Sequence, residues 1–168
     1  LNRILDPAIR EILVEGGKYY NKCLFSAVYP PGTHYLYVNL NFGIAGAIVE
    51  KVSGIRFDIF LRDRILKHIS VGQPETATFY TYTIQNPDNL GVIFEGQSGK
   101  WVQQMIITQG DNTLKNLTGY VIGSNGVIFG PQGGLRASVT HMSNYITMLA
   151  NKGVTKEGTR VLSAKSVE

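Results

Sequence analysis

The chain has a single cysteine, Cys23, in 168 residues. That excludes an internal disulfide and any cysteine-cluster metal site, and it leaves the redox compartment open. No stretch approaches the 18 or so apolar residues of a membrane span. The opening Leu1-Asn2-Arg3 has neither an initiator Met nor the basic-then-apolar layout of a signal peptide, so the chain reads as a fragment of a longer polypeptide. Acidic residues are fewer than basic ones, 12 against 16, for a net charge of +4 and a pI near 9.2. The Lys and Arg residues are scattered singly, with no basic stripe or aromatic interleaving, so no nucleic-acid partner is expected. His34, His68 and His141 share no ligand spacing with one another or with carboxylates, which argues against a metal site. Gly123-Ser124-Asn125-Gly126 lacks the Gly-Lys-Ser/Thr ending of a phosphate loop and reads as a turn. No cofactor is expected.

What is present suggests one domain spanning residues 1–168. With 43% hydrophobic and 17% charged residues, a chain of this length buries roughly two thirds of its unfolded surface. Asp6-Pro7 reads as a helix start, the carboxylate capping free amides and the proline occupying a first-turn site that needs no donor. The stripe Ile9, Ile12, Leu13 follows and Gly16-Gly17 ends it. Pro30-Pro31-Gly32 forces a turn. The clearest period runs from Phe42 to Val52. Ile44, Ala45, Ile48, Val49 and Val52 share one helix face, predicted to be well buried, and Glu50 and Lys51 take the other. After Ser53-Gly54 a third helix is expected, with Phe57, Phe60, Leu61 and Ile65 inward, Asp58, Arg62, Asp63 and Lys67 outward, and an i, i+4 pair between Asp58 and Arg62.

From Gln73 to Gly134 the pattern changes to short β-rich runs, Ala77 to Thr83, Gly91 to Glu95, Trp101 to Thr108 and Gly119 to Phe129, cut by Asn86-Pro87-Asp88-Asn89 and Gly96-Gln97-Ser98-Gly99. Loops and short hairpins are expected there. A last long helix should begin at Ser138, its cap, with Met142, Tyr145, Ile146 and Leu149 inward until Lys152-Gly153. Ser163 to Glu168 reads as one more helix start. The whole is mainly α with short strands and long loops.

The residues that could carry chemistry are Tyr37 and Asn39, set between the Pro30-Pro31-Gly32 turn and the helix that follows. A phenol acts as a base near neutrality only when nearby cations favour the phenolate, and by residue type alone the pair also fits an interior tyrosine and a helix-capping asparagine. The run PPGTHYLYVNLNFGIAGAIVEKVSG resembles the Tyr-x-Asn motif of the class C β-lactamase and DD-peptidase superfamily of serine hydrolases. Gly130-Pro131-Gln132-Gly133-Gly134-Leu135-Arg136-Ala137-Ser138 is similar to that family's Gly-Gly-Leu segment leading into a helix. With the helix pair through Ile69, these stretches cover nearly half the chain.

The resemblance implies the helical lobe of a β-lactamase-like fold with the sheet lobe missing. It implies hydrolysis of an amide or ester (a β-lactam, a D-Ala peptide or an ester) by way of an acyl-enzyme. On it, Tyr37 is the catalytic acid/base, Asn39 binds substrate and orients a lysine, and Gly133 and Gly134 line the cleft edge as substrate-binding positions. It further implies a small-molecule or peptide substrate in the intact protein. The partner would be the rest of that protein, or a second copy docking through the exposed face, and the location the cell envelope or exterior. The chain departs from the family in one large respect. The nucleophile belongs to a Ser-x-x-Lys motif, yet Ser26 leads to Tyr29, Ser53 to Arg56, Ser98 to Trp101 and Ser138 to His141. No Lys-Thr-Gly or His-x-Gly strand is present either. The expectation is a piece that is inactive alone. The alternative is a non-catalytic binding module that kept the fold and lost the chemistry.

Overall fold

The computed structural model describes residues 9–73, 75–79, 90–103, 117 and 119–168. The expected helix start at Asp6-Pro7, the turn at Asn86 to Asn89, and the runs beyond Phe79 and Gln103 lie outside them. The described residues are mainly helical, with one two-stranded sheet. The chain packs as two compact units, Leu1–Phe60 with Leu117–Gly134, and Leu61–Asn116 with Leu135–Glu168.

In the first unit, α1 (Ile9–Leu13) precedes a left-handed Gly16 at φ 86°, the expected glycine stop. The Pro30 turn forms as well: Gly32 takes φ 82°, and the amide and hydroxyl of Thr33 both donate to the Pro30 carbonyl. Across it the rings of Tyr29 and His34 stack 4.2 Å apart. The principal helix, α2 (Asn39–Ser53), ends where Gly54 enters left-handed space and its amide closes on the Glu50 carbonyl.

The buried face of α2 is not the predicted one. Gly43, Gly46, Ala47 and Glu50 are buried, whereas Ile48 is 57% and Val52 84% exposed. The reason is the neighbour, a 3-10 turn at Gly126–Phe129. A Cβ on Gly126 would lie 2.5 Å from the Ala47 nitrogen and 2.7 Å from the Gly46 carbonyl carbon. Backbone meets backbone here, and a face carrying isoleucine and valine could not come that close. The expected strand from Gly119 to Phe129 is corrected to turns and this 3-10 helix. Gly119 and Gly123 take φ 83° and 81°, and the Gly123 amide is spent on a side chain rather than on a ladder. The short α3 (Phe57–Leu61) follows, with Phe57 buried as expected. Asp58, expected on the outside, is buried and takes a fork from Arg56 at 2.6 and 2.8 Å.

In the second unit a π-helical turn (Arg62–Leu66) leads into α4 (Lys67–Ile69). Its core is Leu66, Ile69 and Ala77, with Leu61, Phe79, Leu135 and Tyr145 packed around. Arg62, the other half of the expected pair, forks onto Asp63 at 2.7 and 3.1 Å. The strands β1 (Phe94–Gln97) and β2 (Lys100–Gln103) pair antiparallel across Ser98-Gly99, both at positive φ, the tight turn read from sequence. Ser138 caps α5 (Val139–Ala150) as expected. Lys152 and Gly153, both at positive φ, follow its end. Its face is rotated from the prediction. His141 and Met148 are buried, Met142 and Ile146 are exposed, and the Asn144 amide donates to the Ile69 carbonyl at 2.8 Å. Ser163 caps a 3-10 turn, Ala164–Ser166, where a longer helix was expected.

Candidate active site

Tyr37 lies in extended chain just before α2, 56% exposed, its ring tilted against Phe42 with centroids 5.9 Å apart. It is not an interior tyrosine. Asn39 is not a cap either: Val38 holds the N-cap position, the helix start has no side-chain cap, and Asn39 is its first residue, exposed to solvent. Within the described residues no hydrogen bond takes the Tyr37 hydroxyl or the Asn39 carboxamide. Among the described residues the fold uses neither group. Both stand at the start of the helix that the Gly126 turn grips, so they are presented on a rigid element.

Gly133 and Gly134 sit in a tight loop whose two amides both donate to the Gly130 carbonyl. Those amides are occupied and are not free to hold an oxyanion. A Cβ on Gly134 would meet the Gly130 carbonyl oxygen at 2.8 Å, whereas Gly133 faces open space. Only the second glycine is required by packing. Pro131 of the same loop touches α2, its Cγ 3.4 Å from where a Gly46 Cβ would stand. The loop and the helix bearing Asn39 thus share one unit, though no hydrogen bond joins Gly133 or Gly134 to Tyr37 or Asn39 among the described residues.

The residue that ties this arrangement together is one that sequence reasoning placed on the outer face. Glu50 is 0% exposed. One of its oxygens accepts the Phe57 amide at 2.8 Å, and the other accepts the Tyr120 hydroxyl at 2.7 Å and the Gly123 amide at 2.6 Å. Three donors on one carboxylate replace the water it lost. Burial first, and then the hydrogen bond to Glu50, push the Tyr120 phenol far above its usual range, so it stays a donor. The Tyr120 ring meets Phe129 edge-on at 5.5 Å, and the Arg56 guanidinium lies 5.4 Å from the Phe129 centroid. The signal in the sequence was the spacing of Gly43, Gly46, Ala47 and Glu50 at i, i+3, i+4 and i+7, a stripe of small residues ending in an acid.

The sequence profile of the family described as Beta-lactamase matches residues 26–168. The chain belongs to the beta-lactamase family. No curated protein and no solved structure matches it. The described residues, mainly helical with one small sheet, correspond to the helical lobe of a beta-lactamase-like fold, and the family assignment carries a hydrolase-like fold of the serine type. Among the described residues no group of His, Cys, Asp and Glu is placed to hold a metal ion, and no helix is long and apolar enough to cross a membrane.

Proposed function

We propose that residues 1–168 form one helical lobe that supplies the Tyr-x-Asn element of a serine hydrolase acting on amide or ester bonds. A serine held elsewhere in the parent protein, in a Ser-x-x-Lys motif, would attack the carbonyl. Its oxygen bonds to the acyl carbon, the C–N or C–O bond breaks, and the departing group takes a proton passed through Tyr37 and the lysine. Water then releases the acyl group by the same route. Asn39 holds the substrate amide and orients the lysine, and the Gly133-Gly134 loop borders the cleft. Substrates of this kind are β-lactams, D-Ala peptides and esters, met at the cell envelope or outside the cell.

One observation carries the reading: Tyr37 and Asn39 are both exposed at the start of a helix gripped by the Gly126 turn, and among the described residues no hydrogen bond takes the polar group of either. The absence of any Ser-x-x-Lys in the chain favours the second reading, a binding module without chemistry. The test uses a chromogenic β-lactam and a nitrophenyl ester. The 168-residue chain should turn over neither. The full-length gene product should turn over at least one, and Tyr37→Phe in it should cost about a hundredfold or more in kcat, the usual weight of a general acid/base. A full-length product whose turnover ignores Tyr37→Phe, or one without Ser-x-x-Lys and without turnover, would remove the catalytic reading.

A further inference from the structure

The start of α2 is held in an unusual way. Val38 takes the N-cap position with extended backbone, φ -139° and ψ 117°, and makes no side-chain cap. A valine has no oxygen to offer the first-turn amides, so the helix start needs another device. Counted from that cap, Tyr37 is the residue before it and Phe42 the fourth residue of the helix. Those are the two positions of a hydrophobic staple, in which apolar groups on either side of the cap pack together and fix the angle at which the chain enters the helix. The contact is formed here by two rings, tilted 46° with centroids 5.9 Å apart. Helical side chains lean toward the N-terminus of their helix, which brings Phe42 back toward the entering chain.

Little else holds the phenol. Tyr35 and Leu36 are 82% and 73% exposed, and among the described residues no backbone hydrogen bond involves residues 35–37. No hydrogen bond, ion pair or second ring contact takes the Tyr37 side chain among them either. Phe42, by contrast, stands on a fixed turn. The next residue, Gly43, is buried, and its carbonyl oxygen lies 2.8 Å from where a Cβ on Gly126 would stand. The Phe42 ring is thus referred to the gripped helix on one side and to Tyr37 on the other. At 43% exposed it adds little to the core.

We infer that Phe42 is a positioning residue for the Tyr37 phenol, an inference that rests on the acid/base reading of Tyr37. A proton passes efficiently only across a hydrogen-bond distance, and a displacement of about 1 Å costs up to a hundredfold in rate. A tyrosine in an otherwise unbonded extended segment would spread over several directions. The staple confines it to one, so a device that elsewhere only sets the entry angle of a helix here also aims the acid/base.

The experiment has one arm that needs no hydrolysis. In the 168-residue chain carrying ring-¹³C tyrosine, the Tyr37 signal is assigned by its loss in Tyr37→Phe. It should show a nuclear Overhauser contact to the Phe42 ring and should shift in Phe42→Leu, which stays apolar and removes the ring current. In the full-length product, Phe42→Leu should lower kcat about tenfold and leave KM within about twofold, and Phe42→Tyr, which keeps the ring, should stay within about twofold of the parent. Added to Tyr37→Phe, Phe42→Leu should cost nothing further, because a residue that acts only through Tyr37 has nothing left to act on. Should Phe42→Leu fail to fold, Phe42→Met takes its place with the same expectations. A missing ring contact, a rise in KM without a fall in kcat, or an equal loss in both backgrounds would overturn the positioning role. So would a fall in kcat for Tyr37→Phe with none for Phe42→Leu, a result that leaves the acid/base reading standing, whereas a kcat indifferent to Tyr37→Phe removes both.

Discussion

Removing the Glu50 carboxylate is the sharpest perturbation that the structure offers. Glu50→Ala leaves three donors without an acceptor: the Phe57 amide, the Gly123 amide and the Tyr120 hydroxyl. A buried donor left alone costs about 1–3 kcal/mol, and Tyr120, only partly buried, falls at the low end because it can turn to water. Against this, the variant no longer has to bury a charge, which offsets part of the loss. The net expectation is a destabilisation of about 3–5 kcal/mol, a large share of an ordinary domain's stability. Glu50→Gln is the milder probe. Its oxygen can still accept from Phe57, and the Tyr120 hydroxyl can rotate to accept from the new amino group. The Gly123 amide then faces a donor, so about 2–3 kcal/mol is lost. Urea unfolding followed by circular dichroism and tyrosine fluorescence measures both. Midpoints for Glu50→Ala that correspond to less than about 1 kcal/mol would refute the clamp, because the Phe57 and Gly123 amides, held in the backbone and unable to turn away, cost more than that when left without an acceptor.

Tyr120 adds a pH signature. Its folded value is raised above the ordinary 10.0, so its stabilising effect is complete below pH 10 and is lost as pH rises toward the folded value. The parent should therefore lose stability above pH 10 more steeply than Tyr120→Phe, and parallel curves for the two would contradict the buried hydrogen bond. Gly126→Ala should cost about 2 kcal/mol or more, since the new carbon would press on the Ala47 and Gly46 backbone; a denaturation midpoint equal to the parent's would disprove the close approach. Val52→Lys together with Ile48→Lys should leave the unfolding free energy within about 0.5 kcal/mol, as for surface sites in general, and should reduce any self-association seen by sedimentation. A loss of several kcal/mol would show that this face is buried after all.

The elements themselves were readable because their signals are local. The 3.6-residue period, the glycine stop at Gly54, the Ser138 cap and the Ser98-Gly99 turn each depend on neighbours within one turn of chain, and each formed. Which face of a helix goes inward is not a local property. In α2 the partner is a bare backbone turn that only Gly43, Gly46 and Ala47 admit, so the isoleucine and valine face lost to the small one. In α5 the capping box fixes His141 inward and the Asn144 bond to Ile69 fixes the next turn, so Met142 and Ile146 point out. The spacing of large apolar side chains along a helix tells how apolar each face is; here shape and hydrogen bonding decided instead. The candidate site shows the same limit. Tyr37 and Asn39 were proposed from their setting and the resemblance, whereas the buried role of Glu50 was missed because an acid at the edge of an apolar stripe reads as solvated until its three donors, up to 73 residues away, are known.

The reversal in α2 also bears on what the chain does. A helix whose small-residue face is gripped by a backbone turn and whose opposite face carries Ile48 and Val52 in the open is apolar nearly all round, a pattern that belongs to helices with neighbours on both sides. Phe42, exposed in its first turn, extends the same apolar character toward Tyr37. The unengaged phenol and carboxamide thus stand at one end of a helix that still has apolar surface to bury. In the proposed reading the polypeptide that covers this surface is the one that brings the serine and lysine to Tyr37, so covering the helix and completing the catalytic group are a single event. In the binding-module reading the two are independent, and a partner would cover Ile48 and Val52 whether or not Tyr37 were intact. The readings therefore separate on one comparison. In the full-length protein, Val52→Lys should lower hydrolysis as Tyr37→Phe does if the helix face seats the nucleophile's segment; in the binding-module reading no hydrolysis is seen, and Val52→Lys weakens the partner while Tyr37→Phe does not.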